Sequence, residues 1–535
     1  MMMLFLTGFL PVKSTTYYID AAAGDDDHPG TSILQAFRTL DRVQGLNLLP
    51  GDSICLASGQ VFPGMIQLID IQGTADQAIV ITTCAGGREK ARIDASGYAA
   101  GILLVNGAHI LVEHIEITAS GTGEGPDEDL SSDMRCGVLV TTDKDGEYVN
   151  IALHDLHIRD VFYHDPGHTR SKGEVKTANG TGRYGWGIRL INRVPGAVLK
   201  EVRISDSRVT NVSHTGIKLT SRNAGISDVV ISGCEITRTG GPGIQMSGVQ
   251  HVLAAHNRVD RSGSSDDSRK WGRGSGLWTW SSSNVRIEHN QFRNAKGPGD
   301  SAGCHIDFNC SDVIVQYNLS YRNAGGFIEI LGNNYNCAYR YNISVNDGYR
   351  IKGQNGAFQE GKIFWLSGYR GDREQAGPFN SYIYNNTVFT DRETVARIAV
   401  TRKASGVLVA NNIFCLNGGS KSVKGDQYRP ETSGTGQVPR VIFKNNLFLK
   451  ATCWPENILI HDEAPLFGDP DFQAAGGDLL EDYIPRNTAR VKDRGIKIPL
   501  LPGDEEGLVT GLEVVNDILG NPVEGLPDLG AIEIK

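Results

Sequence analysis

Along most of this chain, apolar and polar residues alternate with a period of two, in short runs separated by polar turns, which predicts strands rather than helices. From about residue 101 the runs fall into a recurring phrase: a glycine, an alternating strand, a turn, a second apolar strand and a polar turn. Copies begin at Gly101-Ile-Leu-Leu, Gly137-Val-Leu-Val, Gly187-Ile-Arg-Leu, Gly216-Ile-Lys-Leu, Gly243-Ile-Gln-Met and Gly276-Leu-Trp-Thr. Their spacing is uneven, from 27 to 50 residues, as in a solenoid whose coils carry their own loops. The second strand of each phrase runs into an asparagine: Asn257, Asn290, Asn318, Asn342, Asn386, Asn412 and Asn446. Asparagine tolerates the left-handed backbone of a sharp turn, and its amide can bond to the asparagine one coil away. These residues are read as a structural ladder and assigned no role in chemistry. The pattern predicts an all-β parallel solenoid of roughly ten or more coils.

The pattern resembles the right-handed parallel β-helix superfamily, in which carbohydrate-active enzymes abound, through roughly residues 75 to 450. Tyr17-Tyr-Ile-Asp20, Gly24-Asp-Asp-Asp-His-Pro-Gly-Thr31, Phe37-Arg-Thr-Leu40 and Pro50-Gly-Asp52 resemble the opening segment of such proteins. Pro527-Asp-Leu-Gly-Ala-Ile-Glu533 resembles their closing strand. Both ends must cover sheet edges that would otherwise pair with other chains. The expected organisation is a remnant signal segment over 1–14, an N-terminal cap over 15–74, the β-helix over 75–450 and a C-terminal cap over 451–535.

Length and composition fit that expectation. A chain of 535 residues exceeds one compact core, whereas a solenoid core simply lengthens. Its 65 glycines and 21% charged residues suit a turn-dense β protein. A net charge of −9 argues against nucleic acid as the partner. The nine cysteines show no metal-ligand or CxxC spacing, so buried thiols are expected, with no disulfide framework and no metal. Met1–Pro11 is apolar but short, like a trimmed signal peptide, so a secreted, periplasmic or cell-surface protein is expected. No apolar stretch is long enough to predict a membrane span.

Alternation also sorts side chains by face. In Gly276-Leu-Trp-Thr-Trp280, Trp278 and Trp280 point out; in Gly303-Cys-His-Ile-Asp307, His305 and Asp307 do. Applying the same register to Gly325-Gly-Phe-Ile-Glu329 sets Phe327 and Glu329 outside. Two outward rows result: Lys218, Gln245, Trp278, His305, Phe327, and Thr220, Ser247, Trp280, Asp307, Glu329. Coils lie about 4.8 Å apart, so Asp307 and Glu329 are expected to be neighbours that raise one another's pKa. Asp300, in the turn before that strand, can overhang the same face. Paired carboxylates suit glycosidic bond cleavage, where one protonates the leaving oxygen and the other attacks or activates water. Aromatic rings beside them suit sugar rings. Expected substrate contacts are His305, Trp278, Trp280, Gln245 and Lys218, with Trp365, Tyr369 and Arg370 one coil further on.

Asp300 and Asp307, seven residues apart and flanking a glycine within one coil, resemble the catalytic pair of glycoside hydrolase family 136, the lacto-N-biosidases. The resemblance implies a retaining hydrolase without a cofactor that releases a galactosyl-N-acetylglucosamine disaccharide from an oligosaccharide or host-type glycan. Asp300 would be the acid/base and Asp307 the nucleophile, with Glu329 a modulator or alternative partner. Two other readings stand beside it. One is a polysaccharide lyase that uses Lys218, Arg350 or Lys352 as base, with calcium offsetting the acidic row. The other is a glycan-binding β-helix without turnover.

Overall fold

A computed structural model describes residues 14–121, 134–164, 168, 183–263, 273–423, 440–455 and 460–535. Met1–Pro11, Asp266, Asp267, Arg269, Lys270 and Trp271 lie outside them. Among the described residues, regular structure is almost entirely parallel strand, in sheets of 14, 14 and 12 strands. The chain passes through all three sheets once per coil. One coil comprises Ser283–Glu288 in the first sheet, Gln291–Arg293 in the second and Cys304–Ile306 in the third. The next repeats the path with Ser311–Gln316, Leu319–Tyr321 and Gly326–Ile330. This is a parallel β-helix, as the repeat predicted.

The alternating pattern produces the interior directly. Ile217, Ile244, Leu277 and Cys304 pair in register down the third sheet and are completely buried in one continuous apolar column. The recurrent glycines open these strands because there is no room for more. A Cβ on Gly243 would lie 2.3 Å from Val259 Cγ1, and one on Gly276 would lie 2.4 Å from the Gly303 carbonyl oxygen. The glycine repeat therefore reports close packing at an inner corner.

The asparagine ladder is present. Asn257 Nδ2 donates to Asn290 Oδ1 at 3.0 Å, Asn290 to Asn318 at 3.0 Å, and Asn318 to Asn342 at 3.0 Å. The series continues through Asn386, Asn412 and Asn446 and ends on Asp462. Each of these amides also donates to a strand carbonyl, as Asn318 Nδ2 does to Ile287 O at 2.8 Å. The left-handed backbone expected at the ladder sits one residue earlier, on His256, His289, Tyr317, Tyr341, Asn385, Asn411 and Asn445, with φ between 51° and 57°. The ladder asparagines supply the hydrogen bonds and their predecessors supply the bend.

At the ends, Thr16–Ile19 pairs with Ser53–Leu56 and extends the first sheet. Pro527–Glu533 forms no strand. It is an irregular segment whose Leu529, Ala531 and Ile532 are buried against Ile343 and Ile413 on the flank of the coils. Asn385 Nδ2 donates to Asp528 O at 2.7 Å, tying this segment to the turn next to the ladder. The expectation of thiols throughout is corrected at one place: Cys55 and Cys84, on neighbouring coils, form a disulfide, while the remaining cysteines are buried and free. No helix among the described residues is long and apolar enough to cross a membrane.

Two predictions follow from the ladders. Asn318→Ala strands several buried donors and acceptors at once and should cost about 3 kcal/mol or more, read as a fall in denaturant midpoint. In a second, shorter ladder, Asp347 accepts from Asn323 N at 2.7 Å and from Ser344 Oγ at 2.7 Å. Burial pushes its carboxyl up to about 7. The folded state thus holds this proton longer than the unfolded chain, and stability is lost as pH rises from about 4 through about 7. Asp347→Asn keeps the acceptor and removes the ionisation. It should raise the melting temperature at pH values of about 8, with little change near pH 5.

Candidate active site

The third sheet carries the row that alternation predicted, with one shift. Arg189, Lys218, Gln245, Trp278 and His305 stand opposite one another in consecutive coils. Ile306 pairs with Ile330 and Ala302 with Gly326, so Glu329 is the neighbour of His305, and Trp365 is the neighbour of Glu329. The expected pairing of Glu329 with Asp307 is therefore wrong by two residues. The strand-opening position in this coil is Phe327, not Gly325, and Phe327 points inward, fully buried, with its ring 5.5 Å from that of Tyr339. A bulky ring in the slot that other coils fill with glycine is what misleads the pattern. Asp307 has Leu331 beside it instead, tied by Leu331 N donating to Ile306 O at 2.9 Å.

This row forms a closed floor. Lys218, Gln245, Trp278, His305, Glu329 and Trp365 are all buried. Trp278 and His305 stack with their centroids 5.7 Å apart and planes 11° from parallel, and the Lys362 ammonium lies 3.5 Å from the centre of the Trp365 ring. Asp300, Asp307 and Trp280 are only half-buried and lie along the rim. Phe308 and Tyr369 join them there, Phe308 packing edge-to-face against both Trp280 and Tyr369. Arg370 lies beside Tyr369 and reaches toward Asn333. Asp300 precedes the strand Cys304–Ile306 and Asp307 follows it, with His305 between them. Thr220 and Ser247 belong to the Trp280 row, three and two coils before Asp307.

Asp300 and Ser301 are consecutive left-handed residues, with φ of 44° and 64°. That conformation costs energy for any residue with a Cβ and persists only where the surroundings hold it. Here Gln359 Oε1 accepts from Asp300 N. Arg350 Nη1 donates to Asp300 O at 2.8 Å and to Gly297 O at 3.1 Å, while its Nε donates to Gln359 O at 2.8 Å. Arg273 approaches the Asp300 carboxylate at 3.7 Å. Burial lowers the Arg350 guanidinium to about 10, with Asp300 and Glu329 opposing the shift, so it stays charged near neutral pH. Burial likewise drives the His305 imidazole down to about 4 against the pull of Asp300, leaving it neutral. Its Nδ1 lies 3.1 Å from Ser275 Oγ.

Gln359 escaped the sequence reading because it lies outside the repeat, and Ser275 because it precedes the strand-opening Gly276 instead of standing on the sorted strand. Gln359 reaches Asp300 from an insertion 59 residues downstream, a proximity that no local spacing encodes. Lys352 is exposed, its backbone N–H donating to Glu360 Oε2 at 3.0 Å. Among the described residues no group of three or more His, Cys, Asp or Glu side chains is placed to hold a metal ion.

Residues 196–388 match the family model described as "Right handed beta helix region". The coil stack is a right-handed parallel β-helix. Over 97% of its length the chain is 24% identical to a lacto-N-biosidase of Bifidobacterium longum subsp. longum. It spans about a third of that curated relative, 36% of whose length the match covers. The fold is also that of the glycoside hydrolase family 136 lacto-N-biosidase of Eubacterium ramulus. For its selenomethionine form the TM-score is 0.56 at 20% identity, over 74% of this chain and 66% of that one. For its native form the TM-score is 0.55, over 74% of this chain and 68% of that one.

The buried imidazole gives this site a pH signature opposite to that of Asp347. Because His305 resists protonation in the fold, the unfolded chain takes up the proton first, and stability is lost as pH falls from about 6.5 toward about 4. His305→Gln should flatten this part of the stability profile, measured as melting temperature against pH for both proteins.

Proposed function

We propose that this chain is a glycoside hydrolase that releases a galactosyl-N-acetylglucosamine disaccharide from a larger glycan with retention at the anomeric carbon. The observation that carries this reading is the placement of Asp300 and Asp307. They flank one strand, Asp300 in the turn before it and Asp307 directly after it, both partly exposed along the rim, with a buried neutral imidazole between them. Two partly exposed carboxyl groups on one face are what glycosidic cleavage requires, one to protonate the leaving oxygen and one to attack. The similarity along nearly the whole chain to a lacto-N-biosidase supports the same reading and the choice of disaccharide.

In this mechanism the Asp307 carboxylate attacks the anomeric carbon as the bond to the leaving oxygen breaks, and Asp300 gives its proton to that oxygen. Water then attacks the glycosyl ester, Asp300 takes back a proton, and Asp307 is released as a carboxylate. The strained turn serves this role: Arg350 and Gln359 fix the backbone of Asp300, so little orientational freedom is left to lose during reaction. His305 and Glu329 form the floor beneath the reacting sugar. Trp280 and Phe308 offer the half-exposed aromatic edges that a pyranose ring can lie against. No cofactor enters any step. The Cys55–Cys84 disulfide and a host-glycan substrate together support an extracytoplasmic location.

The lyase alternative finds less support. Lys218 is buried and separated from His305 by the Gln245 and Trp278 coils. Arg350 donates to backbone carbonyls of the Asp300 turn, an orienting role rather than that of a base.

Incubation with a tetrasaccharide ending in galactosyl-N-acetylglucosamine, followed by mass spectrometry, should give two fragments that together gain the mass of one water. Asp300→Asn and Asp307→Asn should each lower kcat by about 10³-fold or more while leaving the melting temperature near that of the parent. An unsaturated uronide from a uronate polymer would instead establish the lyase.

A further inference from the structure

Beyond the turn that carries Asp300 the surface falls into a cavity of about 500 Å³. Its walls come from Lys296, Pro298, Tyr349, Ile351, Gln354 and Asn355, and Arg350 forms part of its lining. The size is that of a small-ligand site. Two features set it apart from an accidental hollow. First, it shares structure with the candidate acid: Gly297 and Pro298 lie in both, and the Arg350 side chain that lines the cavity grips Gly297 O and Asp300 O. Second, Tyr349 and Ile351 are 38% and 39% exposed, an aromatic ring and an aliphatic wall left open to solvent. Beside them stand the side-chain amides of Gln354 and Asn355 and the Lys296 ammonium, which can pair with hydroxyl groups.

The position decides what such a cavity would take. In the proposed reaction the donor sugar lies over His305, between Asp307 on one side and Asp300 on the other. The group that protonates the leaving oxygen must face the leaving sugar, so the departing part of the glycan exits across the Asp300 turn. The cavity adjoins that turn through Gly297, Pro298 and Arg350. We infer that this hollow is the leaving-group subsite, binding the first hexose of the departing glycan with its apolar face on Tyr349. The inference rests on the hydrolase reading above and deepens it: occupancy of the cavity and the placement of Asp300 are joined through Arg350.

The test compares two substrates with the same donor disaccharide. One is the tetrasaccharide, whose leaving group is a disaccharide; the other is the corresponding glycosyl fluoride, whose leaving group is a single atom and cannot fill the cavity. Tyr349→Ala and Ile351→Ala alter exposed side chains outside the aspartate pair. With Tyr349→Ala, kcat/KM on the tetrasaccharide should fall about tenfold, while that on the fluoride stays within about twofold. Ile351→Ala should show the same selectivity at smaller size. Equal losses on both substrates, or no loss on either, would overturn the subsite while leaving the hydrolase in place. Failure of the unaltered protein to turn over either substrate would instead remove the hydrolase reading, and the subsite with it.

Discussion

A single coil of this protein cannot bury its own apolar side chains; it does so only against the coils before and after it, so inter-coil register is the constraint on which the rest depends. A slip of one residue would turn every inward side chain outward. The apolar column through Ile217, Ile244, Leu277 and Cys304 penalises such a slip, and the asparagine ladder penalises it again, because each buried amide finds its partners only in register. The inner-corner glycines add a steric version of the same requirement, since the coils approach too closely there for a Cβ.

Against that rigid background the irregular parts gain meaning. Consecutive left-handed residues at Asp300 and Ser301 are a local cost in a molecule whose coils are otherwise repetitive. The cost is met by a buried arginine and a glutamine contributed by a long insertion between later strands. The same insertion shapes the cavity beside the turn. One excursion from the repeat thus positions a candidate acid and builds the wall past which its leaving group would depart. The stacked Trp278 and His305, closed off from water, support this arrangement from below and hold the imidazole neutral.

The fold was legible in the chain because a solenoid writes its structure locally: strand alternation, corner glycines and ladder asparagines recur within a span of one coil. The rim positions of Asp300 and Asp307 follow from the same pattern, one in the turn before a strand and the other directly after it. What misled was also local. Gly325 imitates a corner glycine, but Phe327 occupies that corner, so Glu329 faces His305 and not Asp307. Likewise the left-handed backbone belongs to the residue before each ladder asparagine, which composition cannot distinguish from its neighbour.

By itself, then, the sequence determined the parallel coil architecture, the ladder and the face on which Asp300 and Asp307 lie, all of which follow from residues recurring at repeat spacing. Tertiary structure alone decided the exact neighbour of each carboxylate, the burial of the floor row, the grip of Arg350 and Gln359 on Asp300, and the cavity beyond. These arise where insertions of irregular length fold back onto the coils. Their partners are set by packing in three dimensions, and no periodicity along the chain records them.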